Sequence, residues 1–235
     1  MAGIGRPDML GIIVKSIKTN HPDITIQYHG HSGPGFSVAS MLEVAKAGVD
    51  ILDVAMEPLS WGMVHPDVIT IQAMLKDAGF QVADINMNAY MEARRLTQSF
   101  MDDFLGYFID PRNRYMTSLL VGCGLPGGMM GSLMADLKGV HMAINNNLKA
   151  QGKATLNEDE LLVQLFDEVK YIWPKLGYPP LVTPTSQIVG TQAVFNVITG
   201  ERYKMCTNEF KGLVAGEYGT TPMPVDPDFQ KKIIG

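Results

Sequence analysis

Two histidines two residues apart, His29 and His31, stand in the run Ile24-Thr-Ile-Gln-Tyr-His-Gly-His-Ser-Gly-Pro-Gly35. Alternation of Ile24, Ile26 and Tyr28 with Thr25, Gln27 and His29 has the period of a β-strand, whose successive side chains point to opposite faces. Thr25, Gln27, His29 and His31 then share one face, and two imidazoles at a strand tip can reach one ion. Neutral imidazole is a common ligand of borderline divalent metals, and two ring nitrogens supply half of a tetrahedral zinc shell. A His-x-His pair before glycines also occurs as an ordinary loop, so the flanking elements carry the decision.

Those elements alternate. Pro7 at a first-turn position precedes Met9, Ile12, Ile13 and Ile17 at helical spacing, which predicts a helix of about three turns. Asn20-His-Pro-Asp23 reads as a turn, with His21 as a surface residue, and Gly33-Pro-Gly35 ends the strand. Ser37 is the expected N-cap of a second helix, with Val38, Met41, Leu42 and Ala45 on one face and Gly48 at its end. Residues 49–55 predict a second strand, and Pro66 the start of a third helix with Val68, Ile71 and Leu75 on one face. Helix, strand, helix, strand, helix is the order of parallel α/β structure, whose active-site groups gather at the C-terminal ends of strands. His29 and His31 fall at such an end. Two strands are too few for a barrel or an independent sheet, so the piece reads as incomplete.

Beyond about residue 82 the pattern turns to helices without intervening strands. Residues 90–107 form one candidate helix. Asn157 is a strong cap before an acidic first turn, and Leu162, Leu165, Phe166, Val169, Ile172 and Trp173 make a core stripe ending at Pro174. Thr185 or Ser186 caps a further helix through Val197. Gly216-Glu-Tyr-Gly219 and the prolines after it read as a turn-rich tail. The glycines of Gly122-Cys-Gly-Leu-Pro-Gly-Gly128 lack the Gly-Lys-Ser/Thr ending of a phosphate loop.

Composition narrows the class. The 235 residues are 46% hydrophobic and 18% charged, which is globular and large enough for a sizeable core. Lys and Arg total 19 against 24 Asp and Glu, a net charge of −5 without a basic run, so nucleic acid is not an expected partner. Only Cys123 and Cys206 occur, and no long uninterrupted apolar stretch or charged apolar leader is present, which points to a cytoplasmic protein.

Taken together these stretches resemble the carboxyltransferase family of biotin-dependent enzymes: the oxaloacetate decarboxylase alpha subunit, the pyruvate-binding subunit of transcarboxylase and the matching domain of pyruvate carboxylase. Met1-Ala-Gly3 resembles the end of that family's Asp-Met-Ala-Gly motif. Pro126-Gly-Gly-Met129 with Leu133 resembles its Pro-Gly-Gly-Met-x-x-x-Leu turn, and Val182-Thr-Pro-Thr-Ser-Gln-Ile-Val-Gly-Thr-Gln-Ala-Val194 is a long, nearly complete match. Gly216-Glu-Tyr-Gly219 with Pro222 follows the same pattern. The resemblance covers nearly the whole chain and the C-terminal half of a family member. It implies an α/β fold: the last part of a (β/α)8 TIM barrel over residues 1–81, then a mostly helical conserved carboxylase domain over 82–235.

The resemblance also implies chemistry. His29 and His31 match the metal-binding pair at the seventh barrel strand, and Ala47-Gly-Val-Asp-Ile-Leu-Asp53 matches the eighth. The metal would be zinc, manganese or cobalt. The family's remaining ligands, an aspartate and a carbamylated lysine, and its substrate arginine would lie upstream of Met1. Biotin would arrive on another domain or subunit, since no biotinylation motif is present. Expected partners are therefore a complementary N-terminal carboxyltransferase half, a biotin carrier and further copies in an oligomer. The reaction would move a carboxyl group between carboxybiotin and a small 2-oxo acid such as pyruvate or oxaloacetate.

Departures from the family pattern matter. Ser32-Gly33 stands where Asp-Thr is usual, and Met130 and Ser132 stand for Tyr and Asn. Met63 occupies the place of a proton-shuttling threonine, and a thioether neither donates nor usefully accepts that proton. His65, beside it, is the candidate catalytic proton carrier, with a surface histidine at a helix start as the plainer reading. Asp53 reads as a satisfied barrel carboxylate ahead of a support for the metal. These departures favour the rival reading, a non-catalytic assembly subunit derived from the family.

Overall fold

The computed structural model of the chain describes residues 5–109, 111–122 and 127–235. Helix α1 (Pro7–Asn20) begins with proline in its first turn, where a missing N–H costs nothing, and buries Leu10 and Val14. Strand β1 (Gln27–Tyr28), α2 (Ser37–Lys46), β2 (Ile51–Leu52) and α3 (Val68–Asp77) follow, so the expected alternation is present. The strands are parallel neighbours, Gln27 opposite Ile51 and Tyr28 opposite Leu52.

Both strands are shorter than their alternation predicts. The Ile26 amide donates to the Asp50 carboxylate at 2.7 Å instead of to a strand carbonyl, and Asp50 also pairs with Lys18 of α1 at 2.7 Å. Tyr28 and Leu52 pack into both apolar clusters of this region, one built on Leu10, Val14 and Val44, the other on Met41, Ile71 and Leu75. Ile24 is 49% exposed, and Ile51 on the opposite face is 45% exposed.

Several helix starts differ from expectation. Ser37 lies inside α2, buried, with its hydroxyl on Ser32 Oγ at 3.2 Å, and Phe36 holds the cap position. Helix α3 is capped by Asp67, which accepts the Ile69 amide at 2.9 Å, so Pro66 precedes the cap. Helix α4 (Met87–Asp103) starts at the Asn86 cap and tightens into a 3-10 turn at Leu105–Tyr107.

By internal contacts the chain divides into two units, Met1–Val121 and Gly122–Gly235. The change of pattern at residue 82 therefore falls inside the first. There Tyr90 of α4 donates its hydroxyl to Asp67 Oδ2 and Arg94 donates to Glu57 Oε2, both at 2.8 Å.

The second unit contains α5 (Gly127–Ala150), α6 (Glu158–Lys175), α7 (Thr185–Thr199), α8 (Asn208–Ala215) and α9 (Pro227–Ile234). Asn157 and Glu160 form a reciprocal capping box at the start of α6, whose stripe from Leu162 to Ile172 is buried as its spacing requires. Pro184, not Thr185 or Ser186, holds the cap position of α7, and Ser186 is buried. Asp226 caps α9 by accepting the Phe229 amide at 3.0 Å, so the proline-rich tail ends in a helix. Phe229 packs edge-on against Tyr203 and Phe210, which closes the end of this core.

Candidate metal centre

His29 stands just past the end of β1, on the face of Gln27. Asp53, just past β2, shares that face: its Oδ1 accepts from Gln27 Nε2 at 2.5 Å and its Oδ2 accepts from His29 Nδ1 at 2.7 Å. The hydrogen bond from His29, then that from Gln27, holds the Asp53 carboxyl below the usual carboxylate range. With Nδ1 donating to a carboxylate, Nε2 carries the lone pair in the neutral His29 ring. This is the arrangement in which a carboxylate orients a metal-binding imidazole.

His65 is brought to the same place by the loop from Ala55 to Asp67. That loop closes on itself through the Ala55 amide to Pro66 carbonyl bond at 2.9 Å and the Trp61 amide to His65 carbonyl bond at 2.8 Å. Its sharp bend puts Trp61 and Gly62 at positive φ, 72° and 54°. The Ser32 amide donates to the Val64 carbonyl at 2.7 Å, stitching the loop to the segment carrying His31. His65 Nδ1 lies 2.9 Å from the Gly30 carbonyl oxygen, which can only accept, so Nε2 is again the lone-pair nitrogen of the neutral ring.

The three rings pack closely, His29 against His65 at 4.3 Å between centroids and His31 against His65 at 4.7 Å. One ring nitrogen of each lies within 4.8 Å of the others. His29 Nε2 and His31 Nε2 are 3.2 Å apart, and His31 Nδ1 is buried without a hydrogen-bond partner among the described residues. Burial, then the neighbouring His65 and His29, pulls the His31 pKa down to about 4, so its ring is neutral at pH 7. Burial also lowers His65, opposed by its bond to Gly30.

The donor set suits a borderline divalent ion. Two nitrogens about 2.0–2.1 Å from one zinc at a tetrahedral angle lie about 3.3–3.4 Å apart, and the 3.2 Å spacing of His29 and His31 is close to that. The two Nε2 atoms of the strand-tip pair thus lie close enough to face one point. His65, whose plainer reading was a surface histidine, joins it half-buried. Asp53 is hydrogen-bonded through both oxygens, as a satisfied carboxylate is, and one of those bonds is to His29. The signal for that was its place one residue beyond β2, matching His29 beyond β1 in the parallel register. Met63 is 6% exposed, a buried thioether within the same loop. Cys123, Pro126 and Met1-Ala-Gly3 lie outside the described residues, as do the side chains of Met130 and Ser132.

Known proteins resemble this chain in sequence and in fold. Residues 122–235 match the model of a conserved carboxylase domain. The whole chain is 37% identical over 240 residues to a pyruvate carboxylase subunit of Methanothermobacter thermautotrophicus, covering 38% of that protein. Over 98% of its length it is 32% identical to the methylmalonyl-CoA carboxyltransferase 5S subunit of Propionibacterium freudenreichii subsp. shermanii, covering 42% of it. Over its whole length the chain resembles these carboxylase and carboxyltransferase subunits. It spans about two fifths of the length of these relatives. The whole chain also superposes on 38% of the carboxyl transferase domain of Rhizobium etli pyruvate carboxylase, determined with oxamate and biotin, with a TM-score of 0.72 at 21% identity. That likeness is one of fold: a helix-rich α/β chain. Among the described residues no helix is long and apolar enough to cross a membrane.

Proposed function

We propose that this chain carries part of the metal site and the helical domain of a biotin-dependent carboxyltransferase acting on a small 2-oxo acid such as pyruvate or oxaloacetate. The observation that carries the reading is the convergence of His29 and His31 just past the end of β1, with His29 hydrogen-bonded to Asp53 just past the parallel strand β2. His29 and His31 would hold a divalent ion, which when bound supplies Lewis-acid polarisation of a carbonyl oxygen. Asp53 keeps His29 in the ligating tautomer, and the Ser32–Val64 bond fixes His31 relative to the loop. The outward face bearing Gln27, Asp53 and the exposed Ile51 suits the interior of a barrel whose other strands come from a complementary segment. Biotin would reach the site on a separate carrier.

The test combines the chain with that segment and a biotinylated carrier, and measures carboxyl transfer to pyruvate alongside bound metal. Transfer and metal content should both collapse in His29→Ala and His31→Ala. Equal metal and equal transfer in wild type and both variants would overturn the reading.

A further inference from the structure

The loop from Ala55 to Asp67 presents a third imidazole that the pair at the strand tip does not require. Two roles suit a lone-pair nitrogen there: carrying a proton, or binding the ion. Three features bear on the choice. The Nδ1–H of His65 is committed to the Gly30 carbonyl at 2.9 Å, on the residue between His29 and His31, so the backbone that sets the pair also sets the third ring. An outer-sphere acceptor on the non-ligating nitrogen is what metal-bound histidines have, and His29 has the same device in Asp53. The ring nitrogens of all three converge within 4.8 Å, and the His65 ring stands edge-on to both neighbours. The 4.8 Å bound is wider than the spacing of ligands on one ion, so the proposed centre requires the rings to draw together on binding.

We propose that His65 is a third imidazole ligand of the ion held by His29 and His31. The inference rests on the metal reading above and adds a donor from a different loop. It changes the character of the centre, since a third neutral nitrogen adds ligand strength without adding negative charge. It also removes His65 from the proton carriers available to the reaction.

The experiment titrates the full chain with Zn2+ by calorimetry and counts imidazoles on bound Cu2+ by electron spin echo modulation. Wild type, His29→Ala and His65→Gln are compared, glutamine keeping an amide donor for Gly30. Three imidazoles are expected in wild type and two in His65→Gln. Zn2+ affinity should fall by more than the roughly 10- to 100-fold that loss of an outer-sphere partner costs. Two imidazoles in wild type, or affinity unchanged in His65→Gln while His29→Ala loses it, would overturn the role of His65 and leave the pair intact. Absence of binding by wild type, or binding untouched by His29→Ala, would overturn the metal reading and this inference with it. The wild-type count decides the matter even if a variant fails to fold.

Discussion

Replacing Asp67 with alanine should loosen the loop that carries His65, and the size of the effect can be worked from its bonds. Asp67 is 3% exposed. Its Oδ1 accepts the Ile69 amide at 2.9 Å, and its Oδ2 accepts both the Glu57 amide and the Tyr90 hydroxyl at 2.8 Å. Losing the cap of α3 costs about 1 kcal/mol. The Glu57 amide keeps a second partner in the Tyr90 oxygen at 3.1 Å, so the main unpaired group is the Tyr90 hydroxyl, itself on a buried residue. An unsatisfied buried donor costs about 1–3 kcal/mol, which brings the expected total to about 2–4 kcal/mol. Urea denaturation of the full chain should show a lower midpoint with an unchanged slope for the transition of the first unit. Tyr90→Phe, which removes the hydroxyl but leaves the cap, should cost only about 1 kcal/mol. An Asp67→Ala change of less than about 0.5 kcal/mol, the range of an ordinary surface substitution, would refute the reasoning.

Asp53→Asn should lower Zn2+ affinity roughly 10- to 100-fold, because it replaces the carboxylate that orients His29; calorimetry showing equal affinity would count against that role. Tyr203 is a separate probe of the second unit. Its hydroxyl is buried without a hydrogen-bond partner among the described residues, and burial, then the nearby Tyr171 and Glu168, pushes its pKa up. A raised phenol favours the protonated folded form. Its contribution is full below the unfolded value near 10 and is lost as pH rises above it. Tyr203→Phe should leave stability at pH 7 unchanged or slightly higher and should flatten the alkaline fall in melting temperature; an equally steep fall in the variant would sink this account.

Much of the first unit was legible because its signals are local. Period-two alternation placed His29 beside Gln27, Pro7 placed α1, and Gly48 ended α2 at positive φ, 97°. What the pattern missed was decided by partners distant in sequence. Ser37 has the chemistry of a cap but is used against Ser32, while Asp67 caps because its second oxygen is needed by Glu57 and Tyr90. Helix α5 gives little periodic signal: glycines open it and the run Asn145-Asn-Asn147 interrupts it, with Asn145 turned to the Leu156 backbone. Helix α9 is short and hidden behind prolines, held by one buried aromatic, Phe229. In the site, the His-x-His pair was visible from spacing alone. His65 was not, because its approach depends on a folded loop and one carbonyl.

That loop also bears on what Met63 means. A buried thioether at residue 63 offers no proton carrier at that point of the loop. If the neighbouring His65 took over that task, its Nε2 would have to gain and lose a proton beside two other imidazoles, where burial already disfavours the charged ring. Binding an ion uses the same nitrogen in its neutral form, and the Gly30 carbonyl holds the ring ready for it. Met63 and His65 are then consistent with each other: the loop lacks a hydroxyl at residue 63 and, in the proposed centre, presents a metal-facing imidazole at residue 65. Under the proposed carboxyl transfer, proton movement would then fall to groups other than Met63 and His65.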